Sequence, residues 1–140
     1  MKTLRRLGAI GATASLLAVA AGQATAYPRY LSIGWTERSG CIASLNGISD
    51  KEAGSYKVQG VTSKVQSAAS NIRCVGWLTR STDGGRTWKQ ISGLHTVTTA
   101  PTLDTTGWYW NGPGYRAKNC VDIYKGTAYY GHFCSGEWRN

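Results

Sequence analysis

Four residues have the types needed for acid–base chemistry on a phosphodiester: His95, His132, Glu137 and Arg116. A histidine paired with a glutamate or a second histidine can move protons, and an arginine can stabilise phosphate charge, which is the chemistry of a small ribonuclease. These four residues belong to no local motif. A serine nucleophile in a G-x-S-x-G turn is absent, and the seven acids are scattered, without a spacing that marks a glycosidase pair. The four cysteines, Cys41, Cys74, Cys120 and Cys134, contain no C-x-x-C pair, and neither histidine has metal-site spacing to a second ligand. A metal centre is therefore not expected, nor a cofactor.

The residues best suited to function are aromatic. Trp108-Tyr109-Trp110 is followed by Asn111-Gly112-Pro113-Gly114 and then Tyr115-Arg116. In a strand these aromatics point to both faces, so one side cannot easily be core. Exposed Trp, Tyr and Arg anchor protein interfaces, and indoles also stack on sugars. Tyr30 and Trp35, in an N-terminal stretch that reads as an extended arm or a first strand, join this set of candidate binding residues. Trp77 and Trp88 are expected to serve the core.

The chain's first 26 residues have a different character. Lys2, Arg5 and Arg6 precede an uncharged run from Leu7 to Gly22, and Ala24-Thr25-Ala26 gives an A-x-A cleavage site. That run is shorter than the ~20 residues of a bilayer-spanning helix. The pattern predicts a secretory signal over 1–26, an arm or first strand over 27–40 and one domain over 41–140, with no membrane attachment after cleavage. Of sixteen basic residues three lie in the leader, so thirteen against seven acids leave a mature charge of +6. The basic residues are dispersed. The expected partner is another secreted protein, with a cell-wall polysaccharide as the alternative; nucleic acid is the less expected partner.

The mature part reads as all-β. Short Val-, Ile-, Thr-, Tyr- and Trp-rich runs alternate with Gly, Asp, Asn and Ser, which predicts a small antiparallel β-sandwich. Strands are expected over 55–65, with a bulge at Gly60, and over 72–80 as a central strand. Further strands are expected over 87–92, 95–99, 107–110, 115–118, 119–124 and 129–134; Ser63 to Asn71 could coil or continue a strand. The strands flanking 111–114 are expected to form a hairpin.

An even cysteine count in an exported chain implies two disulfides. If Gly126-Thr127-Ala128 is a three-residue loop, Lys125 pairs with Tyr129 and Cys120 falls directly opposite Cys134. Opposed Cβ atoms lie within disulfide reach. The preferred pairing is therefore Cys120–Cys134, which leaves Cys41–Cys74.

Ser81-Thr82-Asp83-Gly84-Gly85-Arg86-Thr87-Trp88 matches S-x-D-x-G-x-T-W at every specified position. It resembles the Asp-box, or BNR motif, of sialidases, other propeller proteins and some microbial ribonucleases. That resemblance implies a hairpin turn with a structural role for Ser81, Asp83, Gly85 and Trp88. One box in a chain this short cannot make a propeller. An Ala-rich leader, two disulfides, one such box and many aromatics also resemble small secreted actinobacterial proteins. Some of these are adaptors of extracellular assemblies, including umbrella-shaped antibacterial toxin particles, and others inhibit secreted enzymes. The expected function is a non-enzymatic secreted protein-binding module, with carbohydrate binding and then a ribonuclease as alternatives.

Overall fold

The computed structural model describes residues 29–140, with side chains from residue 31 onward; the predicted signal over 1–26 lies outside the described residues. Eleven strands and no helix are found there: β1 (Arg29–Arg38), β2 (Cys41–Asp50), β3 (Ser55–Lys64), β4 (Ile72–Ser81), β5 (Lys89–Gln90), β6 (His95–Val97), β7 (Thr102–Thr105), β8 (Tyr109–Trp110), β9 (Arg116–Lys125), β10 (Ala128–Cys134) and β11 (Trp138–Arg139). They form two antiparallel sheets. One has the order β1-β2-β3-β7, with β8 also on β3; the other has the order β10-β9-β4-β5, with β11 on β9 and β6 on β4. No helix among these residues is long and apolar enough to cross a membrane.

The sheets pack β2 and β3 against β4 and β9. Every second residue of these strands points inward, as the pleat requires. Two apolar clusters fill the space. Ala43, Ile72, Val97, Val121 and Ile123 surround the Cys41–Cys74 pair, and Leu45, Val58, Leu78, Ala117 and Trp138 form the other. A polar layer lies between them. Asn119 of β9 is fully buried and its Nδ2 donates to the Val61 carbonyl at 2.8 Å and to the Thr62 hydroxyl at 3.1 Å, both on β3. Glycines make the room: a Cβ on Gly60 would meet Asn119, and one on Gly76 would fall on the Thr62 hydroxyl.

Gly60 is thus a point of close approach. The β2–β3 ladder runs through Leu45↔Gly60 without a register shift, so the expected bulge is not there; the bulge lies instead in β1, between Ile33 and Thr36. The parity change that suggested it has another cause: Val61 is buried on the outer side of its sheet.

The 27–40 stretch is a first strand from Arg29 on, paired with β2. The strand Cys41–Asp50 was not legible in CIASLNGISD, which is poor in β-branched and aromatic residues. Of Ser63 to Asn71, only Ser63 and Lys64 continue the strand; β3 ends there and turns follow, without a helix. The strands expected over 115–118 and 119–124 are one strand, β9, which begins at Arg116. The Trp108–Arg116 segment is not a hairpin. β8 pairs with β3 and β9 pairs with β4, so the turn at 111–114 carries the chain from one sheet to the other.

Both expected disulfides are formed, Cys41–Cys74 and Cys120–Cys134. Cys120 and Cys134 come opposite each other through a loop different from the expected one. Ala128 pairs with Lys125 across the two residues Gly126-Thr127, and a shift between Tyr129 and Gly131 then brings Cys134 opposite Cys120.

Candidate functional site

The candidate binding residues divide between the two sheets. Val58↔Tyr109 and Lys57↔Trp110 place Tyr109 inward and Trp110 outward on β8, because paired residues share a face. Tyr109 packs against the Leu45–Val58 cluster. Trp108 and Trp110 are 41% and 46% exposed. Trp108 borders a surface depression of about 380 Å³ with Leu31, Ser32 and Asn46. The Asn46 Nδ2 donates to Gln59 Oε1 at 3.2 Å, and Gln59 Nε2 donates to the Thr106 carbonyl at 2.8 Å, so a fixed amide pair lies beside the indole. Trp110 meets Tyr56 edge to face at 5.6 Å.

The same face continues along the sheet. Pairing aligns Ile42, Ser63 and Leu103 on one rung, Ser44, Val61 and Thr105 on the next, and Asn46 with Gln59 and then Ile48, Lys57 and Trp110 beyond. Leu103 is exposed, and an apolar depression of about 420 Å³ lies against Ile42, Val65, Pro101 and Leu103. Two charged residues lie on these rungs, Lys57 of β3 and, opposite Ile42, the exposed Glu37 of β1. Trp35, in the β1 bulge, is the most exposed tryptophan among the described residues. Tyr30 is placed only by its backbone, opposite Ile48.

Tyr115 and Arg116 belong to the other sheet. The Arg80 guanidinium covers the Tyr115 ring at 5.1 Å and also donates to the Trp110 carbonyl, tying the two halves of the 108–116 segment together. Arg116 approaches Glu137 at 3.5 Å. The outer face of this sheet carries paired cations and rings: Arg73 over Tyr124 at 4.3 Å, Lys125 over Tyr130 at 4.4 Å and Lys118 over Trp88 at 4.2 Å. Trp88 and Trp77 therefore lie half-buried on this outer face rather than in the core, where the buried tryptophan is Trp138.

The Ser81–Trp88 turn joins β4 to β5 and is built around one carboxylate. Asp83 accepts from the Thr87 hydroxyl and amide, the Ser81 hydroxyl and the Arg86 amide. These bonds, the Thr87 hydroxyl first, hold its carboxyl well below the usual carboxylate range. Gly84 and Gly85 take positive φ, and Trp88 Nε1 closes the turn on the Gly85 carbonyl at 3.1 Å.

Of the four residues suited to phosphodiester chemistry only Arg116 and Glu137 meet; the two histidines lie apart from them and from each other. His95 Nδ1 meets Asp104 Oδ2 at 3.0 Å across one seam of the sandwich, where β6 faces β7. His132 lies opposite Asp122, six residues along β9 from Arg116, a backbone separation of about 20 Å. Instead, His132 has local partners that the sequence reading missed. Its Nδ1 meets Asp122 Oδ1 at 2.8 Å, its Nε2 is 3.6 Å from Cys134 Sγ, and its ring packs on Trp77 at 5.7 Å. Same-face spacing on β9 and β10 would have shown this grouping once the register was known. The chain matches no family model, no curated protein and no solved structure in these comparisons.

Proposed function

We propose that this is an exported protein-binding module whose interface is the outer face of the β1-β2-β3-β7 sheet, centred on Trp108 and Trp110. The observation that carries this reading is a run of outward rungs with two indoles, Leu103 and Ile42 and only two charges, Lys57 and Glu37. Apolar residues concentrated on one face with few charges among them mark an interaction surface. Three ten-residue strands with the short β7 and β8 along the free edge of β3 span about 33 Å by 19 Å, of the order of the ~800 Å² that one partner contributes to a standard interface. Export is supported by the signal-like leader and two formed disulfides. On this reading the Ser81–Trp88 turn is an Asp-box with a scaffolding role, and the module is an adaptor in an extracellular assembly, such as a toxin particle, or an inhibitor of a secreted enzyme. The test is capture from culture supernatant by the mature protein. A stoichiometric partner should be recovered and lost with Trp108→Ala/Trp110→Ala; recovery unchanged by that double variant refutes the interface.

A second reading rests on the depression beside Trp108. An indole next to Ser32 and the Asn46–Gln59 amides is suited to a sugar ring, stacking on its C–H face and hydrogen-bonding its hydroxyls. Co-sedimentation with peptidoglycan or chitin, abolished by Trp108→Ala, favours this reading over the first.

A further inference from the structure

The two disulfides have different surroundings. Cys41 and Cys74 are both fully buried between the sheets among Ala43, Ile72, Val97, Val121 and Ile123. Cys120–Cys134 lies on the outer face of the other sheet, with Cys120 buried and Cys134 half-exposed. Beside it is an imidazole held in one orientation. Two-residue spacing on β10 puts His132 on the same face as Cys134 as a matter of course. The orientation comes from two further contacts. Asp122, directly opposite, engages Nδ1, and Trp77, opposite Cys120, packs along the ring. With Nδ1–H donated to the carboxylate, the Nε2 lone pair faces Cys134 Sγ at 3.6 Å, and the imidazole has a ring nitrogen within 4.8 Å of both sulfurs.

We propose that Cys120–Cys134 is a site of thiol–disulfide exchange with an external dithiol, in which His132 is the acid–base residue and Asp122 its positioning residue. The incoming thiol gives its proton to His132 Nε2 and its thiolate attacks the accessible Cys134 Sγ. The Cys120–Cys134 bond breaks, its electron pair goes to Cys120 Sγ, and the imidazolium returns the proton there. The second thiol of the reagent then attacks the mixed disulfide. It leaves Cys134 as a thiol, taking up the second proton, and the reagent as a disulfide. Two electrons and two protons pass from the dithiol to the protein, and the reverse reaction oxidises a dithiol. A neighbouring imidazolium stabilises whichever thiolate leaves, which is what raises the rate of such a displacement.

The test is a time course with limiting dithiothreitol, quenched by iodoacetamide, with the alkylated cysteines located by peptide mass spectrometry. Cys120 and Cys134 should be labelled at least about tenfold faster than Cys41 and Cys74, whose protection reports an intact fold. His132→Gln should slow labelling of the outer pair about tenfold or more, in line with a lost acid–base group. Asp122→Asn should slow it several-fold, and the double variant should be no slower than His132→Gln alone, because Asp122 acts through the histidine. His132→Asn gives the same comparison if the longer amide disturbs the sheet. Equal labelling of the two disulfides, or a His132→Gln rate within about twofold of the parent, overturns the proposal.

Discussion

Asn119 is a buried amide whose two hydrogen bonds cross from one sheet to the other. Truncating it leaves the Val61 carbonyl and the Thr62 hydroxyl without that donor in the polar layer of the core. Asn119→Ala should cost about 1–3 kcal/mol, read from the denaturant midpoint. Asp83 is exposed, and its effect is tied to pH. Its folded carboxyl titrates below its ordinary value of 3.8, so its contribution to stability is complete above that value. The contribution is lost as pH falls through the depressed folded value. Asp83→Asn should therefore lower the urea midpoint at pH 7, and the gap between variant and parent should narrow progressively below about pH 4. A gap that stays constant into acid would show that the carboxylate's charge is not what holds the turn.

At the scale of elements, side chains small enough to let strands approach decide the packing. Gly76 of β4 faces Thr62 of β3, and a methyl group there has nowhere to go without moving one sheet. Gly76→Ala should destabilise by about 1–3 kcal/mol or more, with the thermal midpoint as the readout. The turn at 111–114 is an element of a different kind. It changes sheets, and so separates Trp108 and Trp110 from Tyr115 and Arg116, which sequence proximity had grouped. The β9–β10 hairpin shows the converse. A two-residue loop and a later bulge produce the same opposition of Cys120 and Cys134 as a three-residue loop would, so the disulfide could be inferred from a register that differs at the loop.

For the molecule as a whole, the disulfides close loops of 33 and 14 residues. Chain entropy alone assigns about 3.7 kcal/mol to the first and about 3 kcal/mol to the second. Cys41→Ala/Cys74→Ala should lose more than that figure, because it also removes two buried sulfurs from the core, whereas Cys120→Ala/Cys134→Ala should lose about 3 kcal/mol; paired urea titrations compare the two directly. The sandwich is further tied at its open sides. Arg38 of β1 donates to the His132 carbonyl of β10 at 3.1 Å, and Gly136 donates to the Gly34 carbonyl at 2.8 Å. His95 and Asp104 meet on the opposite side. Among the described residues these ties leave the outer faces of both sheets uncovered, one sparsely charged, with Lys57 and Glu37, and the other lined with cations and rings.

The all-β class, the central strand expected over 72–80, the turn around Asp83 and the Cys120–Cys134 pairing were legible in the sequence because they depend on local signals: alternation, turn chemistry and short-range register; Cys41–Cys74 then followed by elimination. The strand 41–50 was not, since its small polar residues become a strand only between two partners. Which tryptophans enter the core was likewise decided by tertiary structure. Trp138 finds a place in it beside Gly47, while Trp77 and Trp88 lie on an outer face under His132 and Lys118. Strand spacing along one chain says which residues share a face; only the packing of two sheets says which face is inside. The Asp122–His132–Cys134 grouping follows the same logic, as it required β9 and β10 to be set in register before three residues from two strands could meet.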